Sequence, residues 1–308
     1  MNKLRVSSPP HIRSGATTQK IMLDVLIALL PSAIAGVIFF GLRALFVILA
    51  TVAGAVLSEF LFNLIIKKKQ TVLDLSSAVT GLILALNIRA DAPIWQCVIG
   101  AVFAIVVVKC LFGGIGANFA NPAATARVFL VVCFAGSIAG GAILGADGVL
   151  VTGATPLAGG ALPSLFDAFI GKMGGAIGET SKLAIIIGFI YLVAKRVICF
   201  ETPVIYVLTV FVLSLIVDNS LTAATYQILS GGLMFGAVFM ITDYVTTPIT
   251  RSGKMIFALG CGLITFLIRY FGSYPEGVSY SIVFMNILSP YIERWTRKVP
   301  LGKKGAKA

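Results

Sequence analysis

Two short motifs have the residue types that a modifying enzyme needs to attach a group to a side-chain oxygen. Ser14-Gly15-Ala16-Thr17 and Thr152-Gly153-Ala154-Thr155 each end in a threonine hydroxyl, a nucleophile whose two preceding residues are small. In the second copy, Pro156 prevents a helix from running on through the motif. The first chemistry to consider is therefore covalent modification of Thr17 or Thr155, and the choice depends on where each of them lies.

The composition is that of a membrane protein. Hydrophobic residues make up 58% of the 308 residues and charged residues only 12%, whereas soluble domains are about half apolar and about a quarter charged. The 32 glycines agree, because small residues let membrane helices pack closely. These proportions exclude a free-standing soluble enzyme.

The same composition excludes several kinds of chemistry. The single histidine is His11, in the polar N-terminal tail, which argues against His-ligated haem and His-based metal sites. The five cysteines form no CxxC pair, so neither an iron–sulfur cluster held by this chain alone nor a disulfide framework is expected. The net charge of +12 is better explained by cytoplasmic loops than by nucleic-acid binding.

Apolar runs predict an all-α integral membrane protein with ten transmembrane helices. The first run begins near Ile21 and has the length of a span rather than of a signal peptide. The third and eighth runs are short and carry small or polar residues. The ten predicted spans are 21–41, 43–66, 72–88, 94–112, 123–145, 182–199, 202–217, 225–241, 255–271 and 278–292.

The distribution of basic residues predicts the orientation. With both termini in the cytoplasm, 19 of the 24 basic residues, Arg127 among them, lie in or beside cytoplasmic segments. The positive-inside rule therefore places the loop of residues 146–181, with Thr155, outside and Thr17 inside. The five basic residues that remain outside are Arg43, Arg89, Lys172, Lys182 and Arg269.

Five spans precede the outer loop and five follow it, which predicts two inverted repeats of the kind that build a site near the membrane midplane. The halves share a loose pattern of a short helix rich in small residues, a loop with proline, and a span that ends in Phe-Gly. The predicted segments are a tail at 1–20, repeats at 21–145 and 182–292, the outer loop at 146–181 and a basic tail at 293–308.

Segments spread over essentially the whole chain resemble one known family. Residues 7–13, 21–25, 113–123, 177–181 and 242–248 are similar to RnfD, a membrane protein of the Rnf complex, which is an ion-translocating ferredoxin:NAD oxidoreductase. NqrB of the sodium-pumping NADH:quinone reductase is a homologue of RnfD, but it has a longer N-terminal region that this chain lacks.

The resemblance implies a chemistry for the threonine motif. Residues 152–155 look like the sequence on which a flavin transferase esterifies the phosphate of FMN to the last threonine. Such transferases act outside the cytoplasmic membrane, which favours Thr155 over Thr17. Thr17 or Thr18 is instead expected to cap the first helix. Asp147 stands farther from Thr155 than an acidic residue often does in this family, which weakens a role for it in recognition.

Two glycine-rich turns supply further candidate flavin contacts. The turn of residues 174–181 contains Gly178, Glu179 and Ser181, and Thr180 or Ser181 is expected to cap the sixth span. We expect this turn to hold part of the flavin, or to let the outer loop fold onto the spans. The turn of residues 113–122 leads to a helix that begins at Pro122.

The second turn contains Asn118 and Asn121, which either line a flavin or ion site or pack against a partner subunit. Asp243, Thr246 and Thr247 are the expected equivalents in the second repeat. Glu59 lies about two turns inside the second span, where an acid either takes part in ion translocation or pairs with a basic residue.

The resemblance also implies partners, a location and a fold. Electrons would reach covalent FMN from the flavin-bearing RnfG, while RnfA, RnfB, RnfC and RnfE complete the complex in a bacterial or archaeal cell membrane. The family fold is similar to that of urea transporters, and a second, non-covalent flavin such as riboflavin is left open. The competing function is a channel or secondary transporter with no redox role.

The orientation can be tested by labelling. In an otherwise cysteine-free chain, Gly160→Cys should react with an impermeant thiol reagent in whole cells, and Gly305→Cys should not, because only the first lies on the outer side. The opposite pattern would overturn both the orientation and the argument against Thr17.

Overall fold

The computed structural model describes residues 17–144, 150–153, 163–272 and 277–297. Within these ranges the chain forms thirteen helices, two of which continue into π-helical segments, and one two-stranded sheet. In chain order the elements are α1 (Thr18–Phe40), α2 (Leu42–Ile65), a 3₁₀ turn (Val72–Asp74), α3 (Ser76–Leu86), α4 (Ile94–Val102) with its π segment (Phe103–Cys110), α5 (Pro122–Cys133), α6 (Ala135–Ile138), β1 (Gly141–Leu144), β2 (Leu150–Gly153), α7 (Leu165–Ile170), α8 (Lys182–Ala194), α9 (Glu201–Asp218), α10 (Leu221–Leu229), α11 (Leu233–Phe235) with its π segment (Gly236–Met240), α12 (Arg251–Phe271) and α13 (Val278–Thr296).

The helices confirm a predominantly helical membrane protein. In the described part of the chain, α1, α2, α9 and α12 are long and apolar enough to cross a membrane. The helical stretches 221–229 and 233–240 meet at a bend of 62° and give a fifth candidate if they are taken as one broken span. Shorter apolar helices include α3, α5 and α8.

Two of the predicted spans have a different form in the structure. The eighth span is broken between Leu229 and Leu233, where Gly231 adopts a positive φ of 64° that glycine accommodates without strain. The fifth span ends early, at Cys133, because Phe134 leaves the helical conformation with φ −133° and ψ 43°. The chain then turns through α6 into a strand.

A β-hairpin stands where the all-α prediction expected only helix and loop. Strand β1 pairs with β2 in antiparallel register, so that Gly141 faces Gly153 across the sheet. An additional bridge joins Ala142 to Gly175, in the turn that precedes α8. The start of the predicted outer loop is therefore tied to the turn at its end.

The first and second halves meet through their first and last helices. Helix α1 packs on α8, and α5 packs on α13. The α1 contacts are close: a Cβ on Gly188 would stand 2.4 Å from the Ala28 carbonyl oxygen, and one on Gly36 would stand 2.4 Å from the Ile177 side chain. Glycine at these two positions is what allows the halves to approach so closely.

Candidate functional site

A polar junction lies where α3, α5 and the π segment after α11 meet. The Asn87 amide, just past the end of α3, donates to the Ile83 carbonyl at 2.8 Å and to the Met240 sulfur at 3.6 Å. The Asn121 amide donates to the Met240 carbonyl at 3.2 Å. These side chains join an interrupted helix of the first half to one of the second.

Asn121 also starts α5. Its side-chain oxygen accepts from the Ala123 and Ala124 N–H groups at 3.0 and 3.1 Å, and Pro122 takes the first helical position, as the sequence predicts. With the Asn286 amide oriented to satisfy its neighbours, its oxygen accepts from the Asn121 N–H at 2.9 Å and its nitrogen donates to the Thr246 carbonyl at 3.2 Å. Helix α13 is thereby bound to the same junction.

One cavity opens on the side of the junction where α1 begins. Its volume, with the open mouth included, is about 790 Å³. Its apolar wall includes Val25, Ile83 and Phe239, and its polar wall includes Asn118, Asn121, Thr242, Asp243 and Lys109. The structure thus brings both predicted asparagines and Asp243 of the second half into one cavity. We call it the inner cavity, after the predicted orientation.

Two polar groups of the inner cavity have properties that suit a ligand. The Asn118 side-chain oxygen is buried and has no hydrogen-bond partner among the described residues, and such an atom calls for a ligand or water to satisfy it. Burial raises the pKa of the Asp243 carboxyl above its ordinary value, against hydrogen bonds from the Val245 N–H and the Thr246 hydroxyl. Thr247, by contrast, donates to the Asp243 carbonyl and does not line the cavity.

A second cavity, the outer cavity, lies on the other side of the junction. Its volume, with the open mouth included, is about 540 Å³. Asn87, Arg127, Glu179 and Tyr280 supply its main polar groups, and Gly232 is part of its wall. A Cβ on Gly232 would stand 2.6 Å from a Glu179 carboxylate oxygen, so glycine makes room for this acid.

Residues 138–141 connect the outer cavity to the β-hairpin. Ala139 and Gly140 line the cavity, and the next residue, Gly141, pairs with Gly153, the second residue of the attachment motif. Two buried arginines hold this segment in place. Arg127 donates to the Ile138 carbonyl at 3.1 Å, and Arg89 donates to the Ala139 carbonyl at 2.7 Å. Ala154 and Thr155 lie outside the described residues.

The turn before α8 closes the same region. The Gly178 N–H donates to the Leu86 carbonyl at 2.7 Å, which satisfies a free carbonyl at the end of α3. The Ser181 hydroxyl accepts from the Ala184 N–H at 3.4 Å and caps α8, which confirms the predicted cap. Glu179 therefore lines the outer cavity, whereas Gly178 and Ser181 position the turn.

Thr17 has the helix-capping role that the sequence predicts. Its side-chain oxygen accepts from the Lys20 N–H at 3.3 Å, which confirms a cap on α1. Arg127, counted with the cytoplasmic residues, instead lines the outer cavity beside the turn of Glu179. If Arg127 is counted with the outer residues, the predicted split of basic residues becomes 18 to 6, and the orientation prediction stays the same.

An ion pair between residues far apart in the chain closes one wall of the inner cavity. The Lys109 ammonium lies 2.9 Å from a Glu59 carboxylate oxygen, and both side chains are only 2% exposed. Lys109 also donates to the Ser76 hydroxyl, and the Thr71 hydroxyl donates to Glu59 at 2.7 Å. Of the two possibilities for Glu59, the structure has the ion pair. Among the described residues, no group of three or more His, Cys, Asp or Glu side chains could hold a metal ion.

Comparison with known proteins identifies the family. The NQR2, RnfD, RnfE family matches residues 5–302. The chain is 46% identical over 323 residues to the D subunit of the Na(+)-translocating ferredoxin:NAD(+) oxidoreductase complex of Acetobacterium woodii, with all of both chains covered. It is 38% identical to the D subunit of the proton-translocating complex of Clostridium ljungdahlii, covering 98% of this chain and 97% of the other. The chain belongs to the NQR2, RnfD, RnfE family, and the predicted resemblance to RnfD is confirmed.

The buried ion pair generates a stability prediction. Lys109→Met leaves the Glu59 carboxylate buried without its partner and should lower the free energy of unfolding by about 3 kcal/mol, measured by denaturant titration in detergent. The double variant Glu59→Gln, Lys109→Met removes both charges and should recover most of that loss. Equal losses in the single and double variants would contradict a pairwise origin.

Proposed function

We propose that this chain is the membrane subunit of an ion-translocating ferredoxin:NAD⁺ oxidoreductase of the Rnf type. The proposal is supported by full-length similarity to subunits with that name and by a chain built of apolar helices. Its donor and acceptor are carried by partner subunits, and it resides in the cell membrane with both termini in the cytoplasm. The chain alone performs no turnover.

The redox group of this subunit is FMN, esterified through its phosphate to Thr155. The pairing of Gly153 with Gly141 is the observation that carries this proposal. From Gly153 to Thr155 is two residues, about 7 Å at full extension, and Gly141 follows two residues that line the outer cavity. A group attached at Thr155 is therefore within reach of that cavity.

The outer cavity offers the residues that a flavin ring needs. Bound flavin supplies electron transfer in one- or two-electron steps. The Arg127 guanidinium presents donors to ring oxygens and nitrogens, and the Tyr280 side chain supplies an aromatic wall. The valines of α5 exclude water from the apolar side. Thr152, Gly153 and Ala154 serve as the recognition sequence of the flavin transferase.

The inner cavity holds a second flavin, bound without a covalent link. The unsatisfied oxygen of Asn118 supports this proposal, because it is an acceptor for a ring N–H. The apolar wall suits a flat aromatic ligand. Two flavins on opposite sides of the Asn87–Met240 junction give electrons a route from one side of the membrane to the other.

The architecture consists of two five-helix repeats of opposite orientation, as in urea transporters. The packing supports the repeats: α2 packs on α3 and α4, and its counterpart α9 packs on α10 and α12. The first helices of the halves contact each other, as do the last, which is what a two-fold relation requires. Both repeats contain a short or broken third helix beside the polar junction.

Covalent attachment is tested by Thr155→Val. The change keeps the side-chain shape but removes the only oxygen that can form the phosphoester, so the fluorescent band of the denatured protein should disappear on a gel. Thr17→Val is the matched control and should keep the full band, because that hydroxyl caps α1. A band that survives Thr155→Val would show that the flavin is attached elsewhere.

The second flavin is tested by Asn118→Leu. The purified chain is precipitated with acid, and the flavin in the supernatant is measured by chromatography. Wild type should release close to one flavin per chain, and the variant should bind it about tenfold less tightly, since one hydrogen bond of about 1.4 kcal/mol is lost. The covalent band should be unchanged. Full release from Asn118→Leu, or none from wild type, would contradict this site.

A further inference from the structure

The break between α10 and α11 leaves backbone carbonyls that the helix cannot satisfy. The last carbonyls of a helix have no partner within it, and the bend of 62° prevents the next helical stretch from supplying one. Inside a membrane an unsatisfied carbonyl costs several kcal/mol. The carbonyls of Gln227, Ser230 and Gly231 therefore need donors from elsewhere.

Two positively charged side chains supply those donors. Arg269 of α12 donates to the Gln227 carbonyl at 2.5 Å and to the Ser230 carbonyl at 3.3 Å. The Lys182 ammonium, at the start of α8, donates to the Gly231 carbonyl at 3.2 Å and also to the Glu179 carbonyl. Lys182 has no solvent-exposed surface, so its charge is compensated by protein groups alone.

The groups around the Lys182 ammonium are oxygens of the kind that bind small cations. Two are backbone carbonyls, and the Glu179 carboxylate lies against Gly232, the next residue of the break. The hydroxyls of Thr180 and Ser230, which follow Glu179 and precede Gly231 in the chain, are buried and have no hydrogen-bond partner among the described residues. Carbonyls of unwound helix segments coordinate Na⁺ near the midplane in many transporters.

We propose that the break is a monovalent-cation site whose occupant is the chain's own Lys182 ammonium. The ammonium contributes one positive charge and three donors, which matches the charge of Na⁺ and part of its coordination. Lys182, Arg269 and Arg127, which lines the outer cavity with Glu179, carry three positive charges near the one negative charge of Glu179. Removing the Lys182 ammonium leaves an oxygen-lined space that Na⁺ can enter, which restores the positive charge that Lys182 supplied.

The test removes the Lys182 ammonium and measures whether Na⁺ from solution binds in its place. In Lys182→Met, the apolar stem remains and the ammonium is lost. The full-length variant is purified in detergent, and its thermal unfolding is followed by tryptophan fluorescence while NaCl replaces choline chloride at constant ionic strength. Between about 1 and 100 mM Na⁺ the variant's Tm should rise by about 5 °C, as expected for a ligand that binds only the folded state. Wild type should shift by less than about 1 °C.

Lys172→Met is the matched control, because Lys172 is an exposed lysine in the same outer segment. It should respond to Na⁺ as wild type does. The proposal would be supported equally if folded Lys182→Met protein could be purified in NaCl but not in choline chloride. Recovery in neither salt, or a Tm that ignores Na⁺, would overturn it, since Na⁺ should replace the ammonium. The readout involves no flavin, so its failure is separate from failure of the proposed redox role.

Discussion

Interrupted helices in an apolar surrounding impose the constraint on which this structure depends. Each interruption exposes carbonyl groups that lipid cannot satisfy, and the chain satisfies them with side chains from distant helices. Arg89 and Arg127 hold the carbonyls after α6, Lys182 and Arg269 hold those at the broken span, and Asn121 holds the one at Met240. The interruptions in turn create the two cavities, so the same polar groups that make the breaks stable also position the walls of the proposed flavin sites.

Much of this organisation could be predicted from local sequence. The caps at Thr17 and Ser181 follow from hydroxyl residues placed just before apolar runs. The glycines of the eighth predicted span indicate a helix that is easily interrupted, and the structure has the break at Gly231 and Gly232. The two asparagines before Pro122 were predicted to lie near a functional helix end, and both line the inner cavity. These features depend on residues a few positions apart, where sequence and structure are most directly linked.

The remaining features depend on contacts between distant residues. Glu59 and Lys109 are 50 positions apart, and no local pattern pairs them. Arg127 was assigned to the cytoplasmic side by its distance along the chain from Pro122, but α5 is a single helix of twelve residues that carries it to the outer cavity. The β-hairpin was missed because Gly141–Leu144 is as apolar as the helix before it, and only its pairing with β2 distinguishes a strand from a further helical turn.

The glycine contacts between the halves have a consequence for electron flow. The Ala28 carbonyl packs directly on Gly188, and the Ile177 side chain packs directly on Gly36. A tilt of one half against the other would separate these close contacts. Carriers that work by rocking need an interface that slides, and this one is interlocked. If the two cavities hold flavins, these contacts keep donor and acceptor at a constant separation. A constant separation would keep the rate of electron tunnelling between them constant.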